Sequence, residues 1–176
     1  MSVILLKNKM MHYEVLGRGK PLIFLHGWIG SWRYWFPSLQ AASANYRAYA
    51  VDFWGFGDTS KDSSDFTIQQ QAELLDGFLE EMGIGRIALI AHGLGALVAM
   101  QFTLTHMDLV DRMMLISYPM TQNSVDARLR NDSPALLAET LLTHSPTNDP
   151  VLIEAARTSP QALSGSFENM PVNQLW

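Results

Sequence analysis

Short apolar runs separated by polar, glycine-rich segments mark the first two thirds of the chain. Leu22–Leu25, Ile87–Ala91 and Met113–Ile116 are too short for stable helices. Continuous apolar runs of this length are typical of strands that are buried on both faces of a sheet. Tyr46–Val51 is rich in β-forming residues and predicts a further strand.

Helical patterns separate these strands. Ile68–Met82 places apolar residues three and four positions apart, which marks one face of a helix. Ser31 and Pro37 predict capped helical turns after the strand Leu22–Leu25. The Ala- and Leu-rich segment after the strand Ile87–Ala91 favours another helix. Val3–Lys7 and Met10–Leu16 predict an N-terminal hairpin. Alternating strands and helices predict an α/β fold with a mostly parallel sheet of about six strands and flanking helices.

The pattern changes after residue 120. Ser133, Asp149 and Ser159 each precede a proline, and a capping side chain followed by proline is typical of a helix start. These pairs predict three short helices, Pro134–Thr143, Pro150–Arg157 and Pro160 to about Phe167. We therefore divide the chain into a core of residues 1–120 and a helical segment of residues 121–176.

The stretch from Ile87 to Phe102 carries the candidate chemistry. It predicts a strand, the tight turn His92-Gly93-Leu94-Gly95 and a helix. The dinucleotide-binding fingerprint Gly-x-Gly-x-x-Gly does not fit, because Val98 is too bulky for its last position and no acidic residue follows a further strand at the required distance. The nucleophile elbow Gly-x-Ser-x-Gly fits Ala91–Gly95 at its flanking positions, but glycine stands at the central one, position 93.

This turn resembles the nucleophile elbow of the α/β-hydrolase superfamily, which often reads Gly-His-Ser-x-Gly-Gly. In that superfamily a His-Gly pair after a central strand opens the loop that stabilises the oxyanion, and His26-Gly27 follows a buried strand in the same way. The resemblance implies that the backbone amides of Trp28 and Leu94 are the two oxyanion donors. For the dipeptide alone, an alternative stays open in which Gly27 ends the strand and His26 caps it by hydrogen bonding.

A second motif carries the same resemblance. The glycine-rich loop, Asp52 to Thr59, is similar to the superfamily pattern Asp-x-x-Gly-x-Gly-x-Ser, with a threonine in the hydroxyl position. Gly55 and Gly57 permit positive φ, and the Asp52 side chain can accept hydrogen bonds from loop amides. We interpret Asp52 as structural rather than catalytic.

We interpret the remaining candidate residues as parts of the framework or of a ligand pocket. We interpret His26 and His92 as structural hydrogen-bonding residues. We interpret Trp32, Trp35 and Trp54 as core and as the wall of a pocket for a small apolar molecule. The resemblance also implies that residues 121–176 form part of a helical lid.

The superfamily's working order is nucleophile, acid and histidine, with the last two beyond the lid. This sequence shows no further strand pattern before Trp176 and no histidine in such a position, and Gly93 supplies no nucleophile. We therefore assign no catalytic residue, cofactor or metal. Three hypotheses stay open: a hydrolase-family protein for small apolar ester-like substrates that is inactive or strongly impaired, a ligand-binding pseudoenzyme, and an incomplete fragment of a hydrolase.

The amino-acid composition argues against several other classes of protein. A chain of 176 residues with 48% apolar content can bury one core. The net charge of -5 and scattered basic residues argue against a nucleic-acid partner. The sequence has no cysteine and no apolar run near its start that is long enough for a signal peptide or membrane span, so we expect a cytoplasmic protein. If Met113–Ile116 is a sheet edge, its unpaired backbone groups predict self-association.

Overall fold

The computed structural model describes residues 2–62, 64, 66–119, 124, 127–133, 135–137 and 149–167. The described residues form a six-stranded sheet in the spatial order β1-β2-β4-β3-β5-β6. Strands β3, β4, β5 and β6 run parallel, whereas β1 and β2 pair antiparallel with each other and β2 pairs antiparallel with β4. The strands are β1 Ser2–Leu6, β2 Lys9–Leu16, β3 Lys20–Leu25, β4 Tyr46–Val51, β5 Ile87–His92 and β6 Val110–Ile116.

Several α-helices and a 3-10 turn accompany the described sheet. The predicted α/β fold is therefore confirmed, including the helical turns that start at Ser31. Helix α2 begins with a capping box, in which Thr67 and Gln70 satisfy each other's backbone amides. The elements are the 3-10 turn Trp32–Trp35, α1 Phe36–Ala42, α2 Ile68–Glu81, α3 Leu94–Thr105, α4 Ala127–Asn131, α5 Asp149–Ala156 and α6 Pro160–Gly165.

The N-terminal hairpin has the predicted position. Lys7 and Asn8 form its two-residue turn with φ of 50° and 62°, the left-handed conformation that matches the twist of paired strands. The hairpin places β2 next to β4, with Tyr13 opposite Val51. The sequence pattern does not indicate this neighbour, which matters for the site described below.

Two apolar clusters hold the layers together. The larger cluster packs α2 and α3 against the sheet through residues such as Phe78, Leu97 and Phe102. The smaller cluster contains Leu39 of α1 packed with Phe24 of β3. Helix α3 is buried over most of its length, because it packs against both the sheet and helix α2.

Several boundaries differ from the sequence prediction. β6 begins at Val110 rather than Met113, because Val110 already pairs with Ile87 of β5. Helix α4 carries no proline signal and was not predicted. Residues 135–137 are helical as predicted, whereas residues 138–143 of that predicted helix lie outside the described residues. None of the described helices is both long and apolar enough to cross a membrane.

Candidate active site

Gly93 occupies the turn between β5 and α3. Its backbone angles are φ 54° and ψ -112°, a combination that residues with a side chain adopt only under strain. The Gly93 amide donates to Ile116 O at 3.0 Å, which ties the turn to the end of β6. The structure therefore has the strand, tight turn and helix that the sequence predicts, with position 93 at the bend.

Gly95, in the first turn of α3, lies against the end of β3. Its amide donates to His26 O at 3.0 Å. A Cβ atom at this position would lie 2.6 Å from Leu25 O and 2.7 Å from His26 O. These distances are too short for any side chain, so glycine is required here. The close approach brings the turn at Gly93 beside the His26-Gly27 pair.

The Gly27-Trp28 segment borders position 93. A Cβ atom built on Gly93 would lie 3.5 Å from Gly27 Cα and 3.4 Å from Trp28 Cε3. A side chain at position 93 would therefore project alongside Trp28. No described residue accepts a hydrogen bond from the amide of Trp28 or Leu94. The role of these two amides as oxyanion donors stays a prediction.

His26 is fully buried, and both of its ring nitrogens have partners. The Phe53 amide donates to Nε2 at 3.0 Å, so Nε2 carries no proton. Nδ1 is then the protonated nitrogen, and it donates to Gly27 O at 2.8 Å. Burial lowers the pKa of His26, although the charge of Asp52 opposes this shift. The bond to Gly27 O fixes the peptide unit whose N–H belongs to Trp28.

Tyr34 and His92 also contact Gly27. The Tyr34 hydroxyl accepts a hydrogen bond from the Gly27 amide. A Cβ atom on Gly27 would lie 2.6 Å from His92 Nδ1, so the imidazole packs directly against this glycine. Burial lowers the pKa of His92. The sequence analysis did not single out Tyr34, because only the fold brings its hydroxyl back to residue 27.

Asp52 is buried at the end of β4, where it accepts hydrogen bonds from loop amides. Trp32 N donates to Oδ1 at 2.7 Å, and Asp58 N donates to Oδ2 at 2.9 Å. Gly57 has a φ of 54°, and a Cβ atom there would overlap the Asp52 carboxylate. Thr59 Oγ1 donates to Asp52 O at 2.9 Å. These contacts support the structural interpretation of Asp52.

The structure adds His12, to which the sequence analysis gave no role. His12 is 1% exposed, its Nδ1 lies 3.1 Å from Asp52 Oδ2, and its Nε2 lies 3.3 Å from Glu14 Oε1. Burial lowers the pKa of His12, but the hydrogen bond to Asp52 and the charges of Asp52, Asp58 and Glu14 outweigh burial and raise it. His12 meets Asp52 because β2 pairs with β4, a neighbour that no local pattern indicates.

Charged side chains join the glycine-rich loop to helix α5 and the residue after it. Asp58 accepts hydrogen bonds from Arg33 Nη2 at 2.6 Å and from Arg157 Nη1. Burial raises the pKa of Asp58, but the hydrogen bonds from Arg33 and Trp32 and the charges of the two arginines outweigh burial and lower it. Glu154 of α5 is 8% exposed, and burial raises the pKa of its carboxyl group. The sequence gives no signal for this cluster.

His12, Asp52 and Asp58 offer ligand atoms within 4.8 Å of one another, a spacing that would suit a metal ion. However, the carboxylate oxygens already accept hydrogen bonds from amides and from Arg33 and Arg157. The two guanidinium groups supply the positive charge that a cation would bring. We therefore assign no metal site to these residues.

The tryptophans predicted as pocket wall lie in different places. Trp35 packs on Phe24 in the smaller core cluster, with ring centroids 5.1 Å apart. Trp54 is 3% exposed in the larger cluster. Trp32 lies over His12, with ring centroids 5.7 Å apart. Their pocket-wall role stays a prediction, whereas the tryptophan that borders position 93 is Trp28.

A family model described as the alpha/beta hydrolase fold matches residues 20–171. This chain belongs to the α/β-hydrolase fold family. The match covers most of the chain, including the turn at Gly93, the His26-Gly27 pair and the glycine-rich loop. The predicted superfamily resemblance is therefore confirmed.

Curated relatives of this α/β-hydrolase include enzymes of different named activities. The soluble epoxide hydrolase of Corynebacterium sp. (strain C12) is 32% identical over 106 residues, which are 60% of this chain and 37% of the relative. The probable lysophospholipase BODYGUARD 3 of Arabidopsis thaliana is 31% identical over 104 residues, which are 56% of this chain and 21% of the relative. The chain therefore spans well under half the length of these relatives.

A solved structure gives the same fold. A serine-to-glycine mutant of an N-acyl homoserine lactonase, in complex with N-hexanoyl homoserine lactone, matches with a TM-score of 0.84 and 18% identity. The match covers 98% of this chain and 70% of the lactonase chain. At this identity the similarity shows a shared fold and leaves the activity of the α/β-hydrolase described here to be argued from its own residues.

Proposed function

We propose that this chain comes from a hydrolase lineage for small apolar ester-like substrates and that Gly93 leaves it inactive or strongly impaired. One observation carries the proposal: position 93 lies at a bend with positive φ beside the Gly27-Trp28 peptide, and its residue has no nucleophilic atom. In serine hydrolases the loss of the nucleophile reduces turnover by about a million-fold.

The arrangement around Gly93 supports an acyl-transfer lineage. The Trp28 and Leu94 amides flank the bend and have no acceptor within the described part of the chain. The Trp28 amide is oriented by its own peptide unit, whose carbonyl accepts the hydrogen bond from His26 Nδ1. Preorganised amides of this kind stabilise an oxyanion because they need no reorientation during the reaction.

The substrate class is argued from the surroundings of position 93. Trp28 presents an aromatic ring to it, and Phe167 stacks on that ring with centroids 5.2 Å apart. Apolar walls with few polar groups favour small apolar ligands. The curated relatives reported above act, by their names, on epoxides and on lysophospholipids.

A second candidate function is ligand binding without turnover. The observation that favours it is the glycine itself, because it removes the reacting atom and leaves the contacts of His26 and Tyr34 with the neighbouring Gly27 in place. The solved lactonase with a serine-to-glycine change was obtained with its lactone bound, so this fold can hold a ligand in such a variant. This candidate predicts stabilisation by an apolar ester without product formation.

We also propose self-association through β6. Among the described strands β6 has one neighbour, β5, and its Met113 and Met114 side chains are 43% and 58% exposed. An apolar edge strand presents unpaired backbone groups to other chains.

The experiment that tests the hydrolase proposal restores the nucleophile. Gly93→Ser and the matched control Gly93→Ala are made in the longest natural reading frame that contains these residues. Both variants bear the same backbone strain at position 93, so only the hydroxyl distinguishes them. We expect faster hydrolysis of short p-nitrophenyl esters by Gly93→Ser than by Gly93→Ala. A folded Gly93→Ser variant with no gain would reject the ester-hydrolase lineage.

A further inference from the structure

The indole of Trp28 is held by residues that follow helix α6. Its Nε1–H donates to Ser166 Oγ at 2.9 Å. Ser166 is completely buried, and its hydroxyl donates in turn to Leu163 O at 2.7 Å. Phe167 stacks on the indole with an angle of 14° between the ring planes. The serine therefore has one donor and one acceptor, and the orientation of the tryptophan ring is fixed by both polar and stacking contacts.

The same ring limits the space at position 93. A Cβ atom on Gly93 would lie 3.4 Å from Cε3 and 3.6 Å from Cζ3 of Trp28. Carbon atoms in contact are about 3.5–4.0 Å apart, so no free space separates such a Cβ atom from the ring. Any ligand atom next to the side-chain position of residue 93 has the indole on one side.

Helix α6 is itself docked on the glycine-rich loop. Ser159 N donates to Gly55 O at 2.8 Å. Gly55 has a φ of 82°, and a Cβ atom there would overlap Ala162 of α6. The absence of a side chain at Gly55 therefore lets the helix approach closely enough for Ser166 to reach Trp28.

We propose that Ser166 is a positioning residue, which holds the Trp28 indole as a wall beside position 93 and makes the site selective for unbranched acyl groups. The selectivity part rests on the proposed function. A fully substituted α-carbon carries three carbon substituents besides the carbonyl carbon, so one of them meets the indole in every rotamer. The α-carbon of a linear acyl chain carries two hydrogen atoms and one carbon substituent. It can turn its hydrogen atoms toward the indole and direct the carbon substituent away from the ring.

The positioning part is tested without any ligand or turnover. In ¹⁵N-labelled protein, each of the five tryptophans gives one indole N–H signal, and Trp28→Phe identifies the signal of Trp28 by its loss. We expect its hydrogen exchange to accelerate by roughly ten-fold or more in Ser166→Ala. The matched control is Ser164→Ala, because Ser164 is exposed and its hydroxyl reaches only backbone carbonyls within the same helix. The control is expected to leave the exchange rate of the Trp28 indole unchanged.

Unchanged exchange in Ser166→Ala, or equal acceleration in Ser164→Ala, would overturn the positioning role. If Ser166→Ala does not fold, Ser166→Thr keeps the hydroxyl and is expected to retain the slow exchange. A fast-exchanging Trp28 indole in the unsubstituted chain would also overturn it.

The selectivity part is tested with two isomeric esters, methyl hexanoate and methyl 2,2-dimethylbutanoate, by titration of the unsubstituted chain. We expect tighter binding of the linear ester by about ten-fold, and a ratio at least about three-fold smaller in Ser166→Ala but not in Ser164→Ala. Equal binding of both esters overturns the selectivity and leaves the proposed function standing. Binding of neither ester overturns the selectivity and the ligand-binding function together, while the exchange result stands by itself.

Discussion

Arg157, just after helix α5, donates a hydrogen bond to the carboxylate of Asp58 in the glycine-rich loop. Arg33, between β3 and α1, donates to the other oxygen of the same carboxylate at 2.6 Å. One partly buried aspartate therefore binds two arginines, and Arg157 joins it to the C-terminal helices. Helix α6 follows directly, so this contact helps to set the position of Ser166 and Trp28.

Replacing this carboxylate is expected to loosen the contact. Asp58→Asn keeps the shape of the side chain but removes the charge that both guanidinium groups face. We expect the free energy of unfolding to fall by about 1–2 kcal/mol, the range for hydrogen bonds to charged groups that are partly exposed. Urea unfolding measures this change. The matched control Asp62→Asn lies at an exposed position and is expected to change little, so equal losses in both variants would contradict the role of Asp58.

The raised pKa of His12 predicts a pH dependence of stability. A histidine with a higher pKa in the folded state stabilises fully below its unfolded pKa of about 6.5, and this stabilisation is lost as the pH rises through the folded pKa above that value. His26 and His92 have lowered pKa values, so their contributions are lost in the opposite direction, as the pH falls. The difference between the natural chain and His12→Gln isolates His12.

We expect that difference in the free energy of unfolding to shrink as the pH rises from about 6.5 through the raised pKa of His12. Urea titrations of both proteins at a series of pH values measure it. A difference that stays constant or grows over this range would show that His12 is not the group stabilised in its protonated form by Asp52 and Glu14.

Gly95 gives a prediction that runs against helix propensity. Alanine is the best helix former and position 95 lies in α3, yet a Cβ atom there would come within 2.7 Å of two backbone oxygens of β3 and the residue after it. We expect Gly95→Ala to lower the free energy of unfolding by about 1–3 kcal/mol, as overpacking does. Gly85→Ala is the matched control, because a Cβ atom at Gly85 meets nothing within 4 Å. Equal stability of the two variants would contradict the close packing of α3 against β3.

The exposed methionines of β6 give a test of self-association. Met114→Lys places a charge on the strand that lies at an edge of the described sheet, and charged edge strands resist pairing. Light scattering after size-exclusion chromatography is expected to show a concentration-dependent mass for the natural chain and a lower mass for Met114→Lys. The control is Met10→Lys, because Met10 is 56% exposed but belongs to β2, which has a partner strand on both sides. A natural chain that stays monomeric at all concentrations would contradict the proposal.

The sequence was sufficient to predict those features of the fold that depend on residues close together in the chain. The bounds of β4 are those predicted, because Tyr46–Val51 is bordered by turn residues and consists of β-formers. Ser31 and Ser159 cap their helices through local hydrogen bonds, and the turn at Gly93 follows from the change of pattern across it. Local propensity and capping chemistry determine all of these.

Contacts between residues that are far apart in the chain could not be predicted from the sequence. The His12–Asp52 bond joins residues 40 positions apart, the Arg157–Asp58 bond 99 and the Trp28–Ser166 bond 138. Each depends on which strands or helices become neighbours, and periodicity indicates the type of an element but not its neighbour. For the same reason the sequence named Trp32, Trp35 and Trp54 as pocket wall, whereas Trp28 is the tryptophan in contact with the space at position 93.

We propose that position 93 lies where a nucleophile would react, and a single thiol tests this placement most directly. The chain has no cysteine, so Gly93→Cys introduces one thiol, at the start of α3 and beside Trp28. A helix N-terminus favours the thiolate. Gly85→Cys places the reference thiol at an exposed position. Mass spectrometry of thioester formation with p-nitrophenyl hexanoate is predicted to show acylation at least about ten-fold faster in Gly93→Cys. Equal or slower acylation in a folded Gly93→Cys variant would contradict the account.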